Sequence, residues 1–238
     1  MSDLKKVGRR SLAEVETSSR DWKVFSSRVV VISVIDYGAG NLRSVTNVLE
    51  LLKVDFQLIT NADSVKKATK IILPGVGNFG QLASALDELK IRDSLYEQIS
   101  AGVPYLGICL GMQILFAESQ EAPQAVGLGL LSGSVKKFEK SERTPHMGWN
   151  TLDEIAPSRL AHSSLVNSSV GNATSNDQFF AYFAHSYFCP VVDQTVFTTI
   201  YGDQFSAIIE SKNIYGVQFH PEKSADFGRL VIQNFASL

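Results

Sequence analysis

The chain has 238 residues, of which 45% are hydrophobic and 19% charged, with a net charge of −2. That size suits one α/β domain with appendages, and the composition excludes a disordered polymer. The charge excludes a dominant nucleic-acid footprint, and no apolar stretch approaches the ~18–20 residues of a membrane span.

Residues 1–28 read as a polar extension. Arg9 and Arg10 are followed by no apolar core of an export signal, and Asp3, Glu14, Glu16 and Asp21 fit a transit peptide poorly. Cytoplasmic residence is expected, and two cysteines, Cys109 and Cys189, fit a reducing compartment.

A single domain is expected over 29–238. "RVVVISVI" (28–35) is nearly continuous in apolar character, as a strand buried on both faces should be. The turn-rich "DYGAGN" (36–41) leads into a helix over about 42–53, with Val45, Val48, Leu49 and Leu52 on one face. "VDFQLIT" (54–60) and "TKIILPG" (69–75) are the next strands, helical segments follow over roughly 79–101, and "VPYLGIC" (103–109) is another buried strand. This alternation predicts a doubly wound, mostly parallel sheet with helices on both faces.

Beyond residue 118 the character changes. Shorter, antiparallel strands are expected around "VGLGLLSGSVKKFEK" and "TPHMGWNTL", and a polar loop or insertion over 154–178. Strands resume at 179–188, 194–202, 205–211 and 214–220, before a final helix over 224–237.

"GICLG" (107–111) places Cys109 between glycines where a strand meets a helix, the thiol form of the G-x-S-x-G elbow. The N-terminus of a helix favours thiolate. On this motif alone Cys109 is either a nucleophile or a packed core thiol. "QFHPE" (218–222) decides between them. It puts His220 at the end of a strand, and Pro221 biases His220 toward extended geometry. Residues two apart in extended chain share a side, so Glu222 can orient the imidazole. The order Cys, His, Glu differs from that of the α/β-hydrolases.

With these residues, "GICLGMQ" and "QFHPE", the chain resembles the triad-type (class I) glutamine amidotransferase domain over about 29–238. The resemblance implies that Cys109 attacks the side-chain amide of glutamine, forming a γ-glutamyl thioester and releasing ammonia. It gives His220 the acid/base role and Glu222 the orienting role, and it makes Gln113 a substrate contact rather than a solvated helix residue. It also implies that Gly75, Val76 and Gly77 supply oxyanion donors, with the Leu110 N–H as a second.

"GVGNFG" (75–80) also fits G-x-G-x-x-G. A dinucleotide reading fails, because Pro74 opens the turn, the loop follows the third strand and no acidic residue is suitably placed downstream. No cofactor is expected. His220 and Glu222 lack a third ligand of recognisable spacing, so no metal is expected either.

"DYGAGN", "PHMGWN" (145–150) and "HSYF" (185–188) resemble the glutaminase subunits of imidazole glycerol phosphate synthases. That resemblance implies a separate (β/α)₈ barrel cyclase that receives ammonia, with Asn41, Met147, Trp149 and Lys223 at or near the interface. Core packing is the alternative for Trp149. His185 is placed near the site without a catalytic role, and Cys189 in packing. Alternatives are the glutaminase of an anthranilate- or aminodeoxychorismate-type synthase, a silent regulatory subunit and a stand-alone γ-glutamyl hydrolase. Reorientation of a peptide within Gly75-Val76-Gly77 is one expected means of switching the site on.

Overall fold

The computed structural model describes residues 31–39, 41–140, 143–162 and 178–238. The expected extension over 1–28, and most of the polar segment expected over 154–178, lie outside the described residues.

Five short strands make the parallel half of a nine-stranded sheet: β1 (Ile32–Ile35), β2 (Phe56–Ile59), β3 (Ile71–Leu73), β4 (Tyr105–Ile108) and β12 (Ile214–Val217). Their order is β2-β1-β3-β4-β12, with every pairing parallel. Alternate residues point to opposite faces, as the strand period of two requires. Ile32 and Val34, Ile72, Leu106 and Ile108 enter one apolar core. Ile35, Ile71 and Leu73, and Tyr105 enter the other.

Helices cover both faces. Val45 and Leu49 of α1 (Leu42–Leu51) and Val231, Ile232 and Phe235 of α6 (Ala225–Ser237) complete the first core. Leu82 and Leu86 of α3 (Phe79–Glu88) and Leu95 of α4 (Arg92–Ser100) complete the second. The helical segments expected over 79–101 are two helices, separated at Lys90, whose φ is 56°. A left-handed residue ends a helix most cheaply as glycine. Here a lysine holds it, so no glycine or proline marked the break. The short α2 (Ala62–Lys66), capped by the Asn61 side chain on the Ser64 N–H, was also not anticipated.

The expected antiparallel strands are present, and most continue the same sheet. β7 (His146–Glu154), β8 (Phe179–His185), β10 (Thr195–Tyr201) and β11 (Asp203–Ser211) extend the same sheet in the order β12-β11-β10-β7-β8. A second sheet, β5-β6-β9, comprises β5 (Phe116–Ser119), β6 (Leu131–Lys137) and β9 (Tyr187–Phe188). Within the polar segment, the described residues 155–162 are held on the core. Glu210 accepts hydrogen bonds from the Ser158 hydroxyl and the Leu160 N–H, and Leu160 is fully buried.

Lys70, just before β3, is buried, and its ammonium donates to the carbonyls of Phe235 and Ala236 at the end of α6 and to the main-chain oxygen of Leu238 beyond it. A cation there satisfies carbonyls that the helix leaves unpaired. Lys70→Met should cost about 2–3 kcal/mol, the worth of charge-assisted bonds whose buried acceptors lose their donor. The urea midpoint checks this, and an unchanged midpoint would contradict it.

Candidate active site

The two motifs meet because β4 and β12 are parallel neighbours, with Ile108 opposite Val217. Both chains therefore emerge at one sheet edge, the carboxyl end where open α/β sheets place their sites. The Cys109 N–H donates to the Val217 carbonyl at 2.8 Å and extends this register by one residue.

Cys109 has φ 53° and ψ −106°, a conformation costly for any residue with a Cβ. The flanking glycines permit this bend. A Cβ on Gly107 would lie 2.2 Å from the Gly111 carbonyl oxygen, and one on Gly111 would lie 1.9 Å from that of Leu73. After the bend the chain makes only the four-residue α5 (Leu110–Gln113), shorter than the apolar run suggested, because β5 claims Phe116 onward.

His220 is held by its backbone. Its N–H donates to the Tyr182 carbonyl at 2.9 Å, and its carbonyl accepts from the Ser224 hydroxyl at 2.7 Å. Its Nδ1 lies 2.9 Å from Oε1 of Glu222. His220 itself is extended as expected, with φ −98° and ψ 98°, but the path from it to Glu222 is not. Residues Pro221–Lys223 form a 3₁₀ turn with proline in its first turn, and that turn carries the carboxylate back to the ring. The same Oε1 accepts from the Asn41 amide at 3.3 Å. Asn41 precedes α1, yet its side chain makes no capping bond to the helix backbone.

Burial disfavours a charged His220, but hydrogen bonds to Cys109 and Glu222 and the attraction of both outweigh it, raising the imidazole to about 10. Both partners are nearly buried, with side-chain exposures of 4% and 1%. The arrangement therefore suits an imidazolium held beside a sulfur nucleophile.

A cavity of about 170 Å³ opens over the sulfur, lined by Val76, Gly77, Cys109, Leu110, Gln113, Glu121, Ala184, His185, Ser186, Tyr187, His220 and Lys223. A larger groove of about 830 Å³, between α3 and residues 121–127, holds neither Cys109 nor His220 and meets the cavity only at Glu121. Gly75 packs against α5, since a Cβ there would lie 2.5 Å from that of Leu110. The Leu110 N–H opens α5, and so is one of the donors a helix leaves without an internal acceptor.

Val76 is differently engaged. Its N–H donates to the Tyr37 hydroxyl at 3.1 Å, and that hydroxyl donates to the Val76 carbonyl, also at 3.1 Å. Gln113 donates to the Tyr187 carbonyl at 2.8 Å and to Oε1 of Gln218 at 3.2 Å. This leaves the buried Oε1 of Gln113 without a protein partner.

Sequence reasoning did not single out Tyr37, Glu121, His146 or Gln218. Glu121 receives the Phe79 N–H at 2.7 Å, and burial raises its carboxyl above the usual range. Gln218 stands inside the quoted "QFHPE", which was the available signal.

His185 belongs to a chain of hydrogen bonds whose polarity follows from one carbonyl. The Tyr187 carbonyl can only accept, so the His185 Nδ1, 2.8 Å away, carries the proton. The His185 Nε2 then accepts from the His146 Nδ1 at 3.2 Å, and the His146 Nε2 faces the Asn150 amide at 3.4 Å. Burial lowers His146 to about 4, and burial with the adjacent His146 lowers His185 to about 3. The unfolded chain therefore binds protons that the folded chain refuses between pH 6.5 and about 3. Stability should fall as pH drops through this window, by roughly 3 kcal/mol for His146 alone. Denaturant unfolding at about pH 7 and about pH 4 checks this. His146→Gln, which can still donate to His185, should flatten the slope, and an unchanged slope would refute the assignment.

Trp149 and Met147 lie on β7 with exposures of 54% and 66%, so Trp149 is not a core residue. Its ring meets Tyr182 edge-on at 6.1 Å, and the exposed Lys223 ammonium sits 5.7 Å from the Tyr182 ring. Cys189 is buried and unbridged. No group of three metal-ligating side chains occurs, and no helix is long and apolar enough to cross a membrane, among the described residues.

Residues 33–237 match the family described as glutamine amidotransferase class-I. The chain is 41% identical over 213 residues to imidazole glycerol phosphate synthase subunit HisH 1 of Methanococcus maripaludis, covering 87% of this chain and 100% of that one. It is 43% identical to the HisH subunit of Methanocaldococcus jannaschii and 39% identical to that of Oceanobacillus iheyensis. These matches each cover 87% of this chain, and 100% and 99% of the relatives. Among solved structures, PurLQS from Thermotoga maritima superposes with a TM-score of 0.65 at 22% identity, covering 87% of this chain and 97% of that one.

Proposed function

The chain belongs to the class-I glutamine amidotransferase family, and from that premise we propose that it is the glutaminase subunit of an imidazole glycerol phosphate synthase. The observation that carries the chemistry is the Glu222–His220–Cys109 arrangement at the ends of two paired strands. Identity of 41% and 43% along nearly the whole length of named HisH subunits supports the choice of acceptor.

The Cys109 thiolate attacks the side-chain carbonyl carbon of glutamine. The oxyanion so formed takes the Leu110 N–H and a donor from Gly75-Val76-Gly77. The His220 imidazolium gives its proton to the departing nitrogen, which leaves as ammonia. The γ-glutamyl thioester remains, and water, deprotonated by His220, releases glutamate and restores the thiolate. Glu121 lines the same cavity, where its carboxylate suits the α-ammonium of glutamine, while the orphan oxygen of Gln113 accepts a substrate N–H.

The Val76 N–H is spent on Tyr37, so one oxyanion donor is withheld. Reorientation of the Val76 peptide on partner binding would supply it and make hydrolysis depend on the partner. That partner is a (β/α)₈ cyclase, which takes up the ammonia. It docks over Met147, Trp149 and Lys223, with Asn41 linking its contact to Glu222. An exposed tryptophan is a usual anchor of such an interface. The reaction is cytoplasmic and needs no cofactor, metal, nucleic acid or membrane. Gel filtration with purified synthase partners tests the acceptor. A stoichiometric complex with the imidazole glycerol phosphate cyclase is expected, and binding only to an anthranilate-type synthase would overturn the assignment.

A further inference from the structure

The geometry points to Gln218 as a further catalytic residue, an amide donor that stabilises the Cys109 thiolate and ties it to the glutamine-contacting Gln113. This rests on the glutaminase reading only in taking Cys109 as the nucleophile. Gln218 is fully buried one residue past the last paired positions of β12 and β4, which brings it beside Cys109. Its Nε2 lies 3.6 Å from the Cys109 sulfur.

The orientation of this amide is determined by its neighbours. Oε1 receives two donors, the Cys189 N–H at 3.3 Å and the Gln113 amide at 3.2 Å. An N–H group in place of that oxygen would face both donors. The group turned to the sulfur is therefore the NH₂, which donates and favours the anion over the thiol. The bond is strongest before attack and weakens as the sulfur's charge passes to the substrate oxygen. Gln218 thus favours the nucleophilic form of a sulfur that also interacts with His220, Tyr37 and Cys189, and through Oε1 holds the Gln113 amide in place.

Iodoacetamide alkylation of Cys109 in the whole chain, followed by peptide mass as a function of pH, tests this without glutamine turnover. In Gln218→Met the inflection should rise by about one pH unit, with about tenfold slower alkylation below it. In Gln218→Glu an oxygen can still accept from Cys189 and Gln113, but the carboxyl is the stronger acid and leaves the shared proton on sulfur. Its inflection should therefore rise further than that of the methionine variant. A merely structural role predicts the reverse order or no shift, and unmoved inflections in the variants that fold would overturn the proposal. Failure of the unmodified chain to alkylate at Cys109 would instead overturn the glutaminase reading, and this inference with it.

Discussion

Cys109→Ala should abolish glutamine-dependent synthesis by the assembled enzyme and leave synthesis from added ammonia intact. Removing a nucleophile that acts as one unit with its base typically costs ~10⁵–10⁶-fold in turnover. The fold should survive, because alanine occupies the same bend, with a Cβ in a φ region that the cysteine already adopts. Steady-state rates with glutamine and with ammonium salt, measured on one preparation, separate the two activities. Loss of both would contradict the division between ammonia release here and its use in the partner.

Glu222→Gln should lower turnover by roughly 10³-fold, less than the ~10⁴-fold lost when an orienting acid's replacement enforces the wrong tautomer. The reason lies in the donors around this carboxylate. His220 Nδ1 and the Asn41 amide both address Oε1, so the glutamine oxygen would be drawn to that position and the amide nitrogen to the unpartnered Oε2 site. The tautomer is kept and the negative charge is lost. The imidazolium, now at about 10, should therefore titrate at lower pH, and the high-pH limb of glutamine turnover should move down with it. A pH–rate profile shows the direction, and an unmoved limb with full activity would contradict the role of Glu222.

The chemistry was legible in the sequence because each half of the site carries its own local constraint. Glycines at 107 and 111 mark a bend that the packing of Gly111 on Leu73 requires. Proline after His220 marks the point where the chain leaves the strand, although it then turns where an extended path was expected. The contact between the halves was not legible, since nothing local says that β4 and β12 pair across so much intervening chain. The Tyr37–Val76 bonds and the orientation of Gln218 likewise depend on side chains brought together only by the sheet. The position of the break between α3 and α4 was not legible, because a lysine occupies a backbone conformation that glycine ordinarily marks. The antiparallel strands were expected, but their edge-on continuation of the parallel half follows from β11 pairing with β12, which strand patterning does not encode.

The proposed dependence on the partner follows from a triad that is assembled while the Val76 N–H is committed to Tyr37. The most direct measurement is glutamine hydrolysis by this chain alone, with the cyclase, and with the cyclase carrying its ribonucleotide substrate. Little turnover is predicted alone, rising by about 10²–10³-fold in the complete complex, the typical worth of one oxyanion donor. A full rate from the isolated chain, unchanged by the cyclase and its substrate, would rule out that dependence.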